Sequence, residues 1–90
     1  MSQQVTEIVE QQPFFIRTSI AGEIKRALSD QIKAIMNRDN ISQAELARRM
    51  GTSRAVVRRL LDDEDISVTL ATISKTALAL DLSVQIELKG

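Results

Sequence analysis

The chain contains no cysteine and no histidine. Without cysteine, disulfides and thiolate chemistry are excluded. Without histidine, the commonest general base and the commonest transition-metal ligand are missing. Tryptophan and tyrosine are absent too, and the two aromatics, Phe14 and Phe15, follow the single proline, Pro13. No apolar run approaches the ~18 residues that span a bilayer. Residues 1–10 are polar and acidic, with no apolar stretch of the kind a signal peptide needs. Cytoplasmic location is therefore the default expectation. These gaps argue against an enzyme, and no catalytic residue, metal or cofactor is assigned.

What is present is an ordinary globular composition, 43% hydrophobic and 27% charged. Ninety residues suffice for one small domain, whose modest core makes oligomerisation a common way to bury more surface. Twelve basic and twelve acidic residues cancel. Their distribution says more than their sum. Arg48, Arg49, Arg54, Arg58 and Arg59 follow one another with no acid between them, and Asp62, Asp63, Glu64 and Asp65 come directly after.

Residues 1–17 read as an N-terminal arm, flexible or partly extended, with a short strand possible around Val5–Val9 and a break at Pro13. Phe14, Phe15 and Ile16 pack the arm on the domain; the alternative is that Phe14 or Phe15 anchors a partner. The domain then covers 18–90. A first helix starts near Thr18 or Ser19, with Ile20, Ile24, Ala27, Leu28, Ile32, Ile35 and Met36 as its apolar stripe. Lys25, Arg26, Asp30, Lys33 and Arg38 mostly take the opposite face. Ser42 caps a second helix, and Glu45 completes a capping box. Gly51 stops that helix, because glycine turns left-handed cheaply. Thr52 or Ser53 caps a third helix running to about Leu61. After a polar loop, a fourth helix covers 68–80 with Leu70, Ile73, Ala77 and Leu80 inward. Leu82, Val84, Ile86 and Leu88 then alternate with Ser83, Gln85 and Glu87, which predicts a strand over 82–88. The fold class is mainly α: four or five helices and a C-terminal β-strand.

The segment 41–61 carries the functional signal. Two short helices are joined by a tight turn that begins with glycine. Ala47 is small enough for the third helix to cross the second closely, and Leu46, Met50, Val57 and Leu60 fill the seam. Arg54, Ala55, Arg58 and Arg59 are left facing outward, while Val56 lies between the core and the outward face. An arginine can bond two acceptors of guanine at once, and a small residue such as Ala55 can touch a thymine methyl. Gln43, Thr52 and Ser53 stand at helix starts, where side chains and main-chain N–H groups bind phosphate.

Ser42, Gln43, Leu46, Ala47, Met50, Gly51, Ser53, Val57 and Leu60 together resemble the phage-repressor-like (Xre family) helix-turn-helix. With less force the resemblance extends over 20–88, where Thr69-Leu70 to Ala79-Leu80 and the alternating segment look like the end of HigA-like antitoxins. It implies a homodimer on an inverted repeat of double-stranded DNA, often with a toxin as corepressor. Two departures stand out. Residues 62–65 are all acidic where relatives often place a turn that touches phosphate, and Asp81 stands where relatives often have glycine, although aspartate tolerates a left-handed turn less well.

Blander readings compete with these. Arg58 and Arg59 could pair with Asp62 and Asp63, exposed contacts worth only a few tenths of a kcal/mol. Arg48 and Arg49 are either solvated or on phosphate. The acidic run lacks the alternating ligands and central glycine of a calcium loop. A lone strand at 82–88 needs a partner: the same strand of a second chain, which is favoured, the N-terminal arm, or another protein. The functional expectation is a sequence-specific transcriptional repressor acting as a homodimer. The alternative is an antitoxin-type subunit whose arm caps a toxin.

Overall fold

A computed structural model describes the backbone of residues 13–90 and the side chains from Ile20 onward. The expected arm over 1–12, the short strand around Val5–Val9 and the side-chain roles of Phe14, Phe15 and Ile16 fall outside the described residues. Four helices follow in order: α1 (Pro13–Asp39), α2 (Gln43–Met50), α3 (Arg54–Leu61) and α4 (Leu70–Ala79).

The first helix begins five residues earlier than Thr18, at Pro13 itself. Proline does not break the chain here; it opens the helix, where its fixed φ suits the first turn and its missing N–H leaves nothing unpaired. Residues 13–17 thus belong to α1 and not to an arm. Ser42, Ser53 and Thr69 cap α2, α3 and α4, each accepting the N–H three residues on, from Glu45, Val56 and Thr72. The cap at Thr69 starts α4 two residues later than position 68.

Three of the helices end in the same device. Asn40, Gly51 and Asp81 adopt φ of 56°, 66° and 58°. Around each, the N–H of the next residue reaches back five positions: Ile41 to Met36 O at 2.8 Å, Thr52 to Ala47 O at 3.0 Å, Leu82 to Ala77 O at 2.8 Å. The left-handed residue itself donates three positions back, to Asn37, Arg48 and Leu78. This paired arrangement, a Schellman motif, satisfies the last carbonyls of a helix. Asp81 therefore makes the same turn that glycine would.

The core gathers Ile32 and Met36 of α1, Leu46, Ala47 and Met50 of α2, Val57 and Leu60 of α3, and Leu80, which follows α4. Leu46, Val57 and Leu60 are fully buried. The seam expected between α2 and α3 is thus formed by the residues that the spacing selected. Elsewhere the pattern is corrected. Leu70 is 78% exposed, and Thr76 is the buried side chain of α4. Its hydroxyl donates to Thr72 O at 2.8 Å, so the polar group is satisfied within its own helix. On α1, Ile20, Ile24 and Ala27 are exposed, whereas Lys25 and Ser29 are buried.

Among the described residues no strand forms, and 82–90 is exposed chain without regular structure. The strand expected over 82–88, and its pairing across a dimer, are not supported. Alternation gives a segment two faces, but only hydrogen bonds to a neighbouring strand make it a ladder. Among the described residues, no helix is long and apolar enough to cross a membrane.

Candidate nucleic-acid interface

α2 and α3 are eight residues each, joined by Gly51, Thr52 and Ser53. That brevity follows from the sequence: Ser42 and Gly51 bound the first helix, and Ser53 opens the second. Ser42 Oγ accepts from Glu45 N at 3.0 Å, and Ser53 Oγ accepts from Val56 N at 3.3 Å. The first of these is only half of a capping box. The Glu45 carboxylate does not turn back to the main chain. It takes Arg48 through Nε at 3.0 Å and Nη2 at 2.5 Å, and Arg49 through Nε at 2.9 Å. Hydrogen bonds from Arg48 first, and then from Arg49, hold its pKa down at about 2. Arg48 and Arg49 are thus committed to a neighbour on their own helix.

The arginines of α3 are not. Among the described residues Arg54, Arg58 and Arg59 enter no ion pair within 4 Å. Arg54, Ala55, Arg58 and Arg59 are all exposed, while Val57 and Leu60 turn inward. Arg54 and Arg58 stand four apart, and Ala55 and Arg58 three apart, so these three share one face of the helix. Gln43 is the first residue of α2 and is exposed; Thr52 is half-buried and Ser53 exposed. Val56 is half-buried, between the two faces. The pairing of Arg58 and Arg59 with Asp62 and Asp63 does not occur.

The acidic run goes elsewhere. Ser29 Oγ donates to Asp63 Oδ1, and Lys33 Nζ donates to the same oxygen at 3.2 Å. Those two bonds, the Ser29 hydroxyl first, pull the Asp63 carboxyl below its ordinary pKa. Arg26 approaches Glu64 at 3.9 Å. Asp62 Oδ1 accepts from Glu64 N at 2.9 Å, and Asp65 Oδ1 accepts from Ser67 N at 2.8 Å and from Ser67 Oγ. The Ser67 hydroxyl and N–H likewise lower the Asp65 pKa. Beneath the loop, Lys25 Nζ donates to the main-chain oxygens of Arg59 and Asp62, at 3.0 and 2.5 Å. The loop therefore folds onto α1. Among the described residues no group of three or more acidic side chains is placed to hold a metal ion.

Four residues of this arrangement lay outside the sequence-based site: Lys25, Arg26, Ser29 and Lys33. Helical periodicity assigned the lysines to solvent. The signal available was the spacing of Lys25, Ser29 and Lys33, four apart each time on one line of α1, opposite a run of four acids.

The α2–turn–α3 unit thus offers an outward face of unpaired arginines beside two helix N-termini, while Asp63 and Glu64 turn to α1 and Asp62 and Asp65 bond within their own loop. Searches among curated proteins and among solved structures give no match. A family model described as the Cro/C1-type HTH DNA-binding domain matches residues 31–85, more than half of the chain and all of the α2–turn–α3 unit. The chain belongs to the Cro/C1-type helix-turn-helix DNA-binding family.

Proposed function

We propose that the chain is a transcriptional repressor that binds double-stranded DNA sequence-specifically, as a homodimer on an inverted repeat, with α3 in the major groove. The observation that carries this reading is the set of exposed, unpaired arginines on α3. Arg54, Ala55 and Arg58 read base edges. Gln43, Thr52, Ser53 and Arg59 take backbone phosphates and fix the register. A two-fold dimer places two such helices about 34 Å apart, one turn of DNA. The dimer is supported by apolar surface that one chain leaves open, including Ile24, Leu70, Leu78, Val84, Ile86 and Leu88. The reading is of a binding protein, and no reaction is assigned to it.

The test is selection of random duplexes by the purified chain, beside Arg54→Ala. Enrichment of an inverted repeat by the parent chain, relaxed by the substitution, establishes the reading. No enrichment at low salt, where phosphate attraction is strongest, overturns it.

The same open apolar surface favours a second reading, an antitoxin-type subunit that caps a toxin as HigA-like proteins do. Removal of residues 1–12 would then abolish toxin binding and spare DNA binding. Equal loss of both, or of neither, would sink it.

A further inference from the structure

The buried line of α1 changes character halfway. Ile32 and Met36 are apolar and join the core, but Ser29 and Lys25, one and two turns earlier, are polar and just as buried. A lysine is almost never fully buried without partners. Here the partners are carbonyls at the far end of α3: Arg59 O at 3.0 Å and Asp62 O at 2.5 Å. Asp62 is also the residue that ends α3, its own N–H returning to Arg59 O at 3.3 Å. The ammonium therefore sits where the helix dipole is negative, as a second donor to two carbonyls that already accept main-chain N–H groups, from Asp62 and Asp65. One turn along α1, Ser29 and Lys33 grip Asp63.

This matters because of what the loop contains. Four carboxylates follow directly on the helix that carries Arg54, Arg58 and Arg59. Left to find their own place, they would neutralise those arginines or repel phosphate. We infer that Lys25, with Ser29 and Lys33 behind it, is a positioning group for DNA binding: it anchors the end of α3 and holds the acidic loop on α1, away from the nucleic acid. The inference rests on the reading that α3 enters the groove. Lys25 itself touches no DNA and acts only through Arg59, Asp62 and the loop.

Loss of packing and loss of loop control are separable by a double-mutant cycle. Lys25→Met keeps the aliphatic stem and removes the ammonium. A neutral-loop background of Asp62→Asn, Glu64→Gln and Asp65→Asn keeps oxygen acceptors for the turn and retains Asp63 as the clamp's ligand. Affinity is read by fluorescence anisotropy with a labelled duplex of about two helical turns at low salt. In the parent chain Lys25→Met is expected to weaken binding about tenfold, the scale of coupling within one polar network. In the neutral-loop background the same substitution is expected to cost less than about twofold. Circular dichroism checks that each variant is folded. Should Lys25→Met not fold, Ser29→Ala, which keeps the lysine and frees Asp63, runs through a cycle whose neutral-loop background also carries Asp63→Asn, with about a threefold loss expected in the parent chain and less than about twofold in that background.

Equal losses in the two backgrounds would make Lys25 a structural lysine only and overturn the inference. So would no loss in either. A parent chain that binds no duplex removes the DNA-binding reading and this inference with it, whereas a parent chain that binds, with no difference between backgrounds, removes the inference alone.

Discussion

Glu45 and Arg48, one turn apart on α2, meet in a two-pronged contact: Nε to Oε1 at 3.0 Å and Nη2 to Oε2 at 2.5 Å. Arg49 adds a third bond to Oε2 at 2.9 Å. The Glu45 carboxyl titrates at about 2, against an ordinary 4.5, because these bonds favour its charged form. The sign of the linkage follows. A depressed folded-state pKa means that the contact's contribution is complete above about 4.5 and fades as the pH falls toward 2. An NMR titration of the Glu45 side chain is expected to show a midpoint near 2, returning toward 4.5 when Arg48 and Arg49 are both replaced by alanine. A midpoint already near 4.5 in the parent chain would show the fork to be unoccupied in solution. Glu45→Gln should also release the two arginines. Each one that then finds a phosphate steepens the logarithmic salt dependence of DNA binding by about 0.9.

Gly22 and Gly51 differ in what they ask of the chain. Gly22 lies within α1, and a Cβ there meets no atom within 4 Å. Glycine in a helix interior costs roughly 0.5–1 kcal/mol relative to alanine. Gly22→Ala is therefore expected to stabilise the fold by about that amount, a rise in Tm of roughly 2–8 °C for a domain of this size. Gly51 has equally open space, but its φ is 66°. Alanine there strains the backbone with no clash to blame, and Gly51→Ala is expected to lose about 1–2 kcal/mol. Thermal melts of the two variants should shift in opposite directions. Shifts of the same sign would mean that the conformation at one of these positions has been misjudged.

The contrast between local and non-local signals explains how much could be read in advance. Leu46, Met50, Val57 and Leu60 were placed correctly because Ser42, Gly51 and Ser53 fix two short helices by local chemistry, and period then fixes their inner faces. Lys25 was misplaced because its burial depends on where α3 ends in space. Periodicity in α1 carries no trace of the carbonyls of Arg59 and Asp62. Leu70 and Thr76 exchanged roles on α4 for a related reason: Thr76 hides its hydroxyl in its own helix and can be buried like an apolar residue. The expected strand over 82–88 failed because pairing belongs to two segments, and alternation describes one. Of the candidate site, the outward position of Arg54, Ala55, Arg58 and Arg59 was legible; the route of the acidic loop was not.

Asp81 holds φ at 58° just after α4. It closes the same two bonds that Gly51 closes, from Leu82 N to Ala77 O at 2.8 Å and from its own N to Leu78 O at 3.2 Å. A non-glycine residue pays about 1–2 kcal/mol for that conformation, and its carboxylate stands at the negative end of the helix. Glycine gives part of this back through its greater freedom when unfolded. Asp81→Gly is therefore expected to gain about 0.5–1 kcal/mol net. Denaturant melts should show a higher midpoint with an unchanged slope. A lower midpoint would mean that the aspartate side chain itself fastens the turn.

Ser53 has two roles that can be pulled apart. Its Oγ accepts from Val56 N at 3.3 Å and so caps α3. The proposed interface also sets it against a phosphate. Aspartate caps about as well as serine, whereas alanine costs about 1 kcal/mol. Ser53→Asp is therefore expected to keep the melting midpoint within about 0.5 kcal/mol of the parent chain. The same carboxylate would face phosphate across a short distance, so duplex affinity is expected to fall by about tenfold or more, since like-charge contacts in an interface cost several kcal/mol. Ser53→Ala should do the reverse, losing stability while keeping most of the affinity. If Ser53→Asp binds duplex as tightly as the parent chain, the start of α3 does not face the backbone, and the register proposed for Thr52, Ser53 and Arg54 is wrong even if the protein binds DNA.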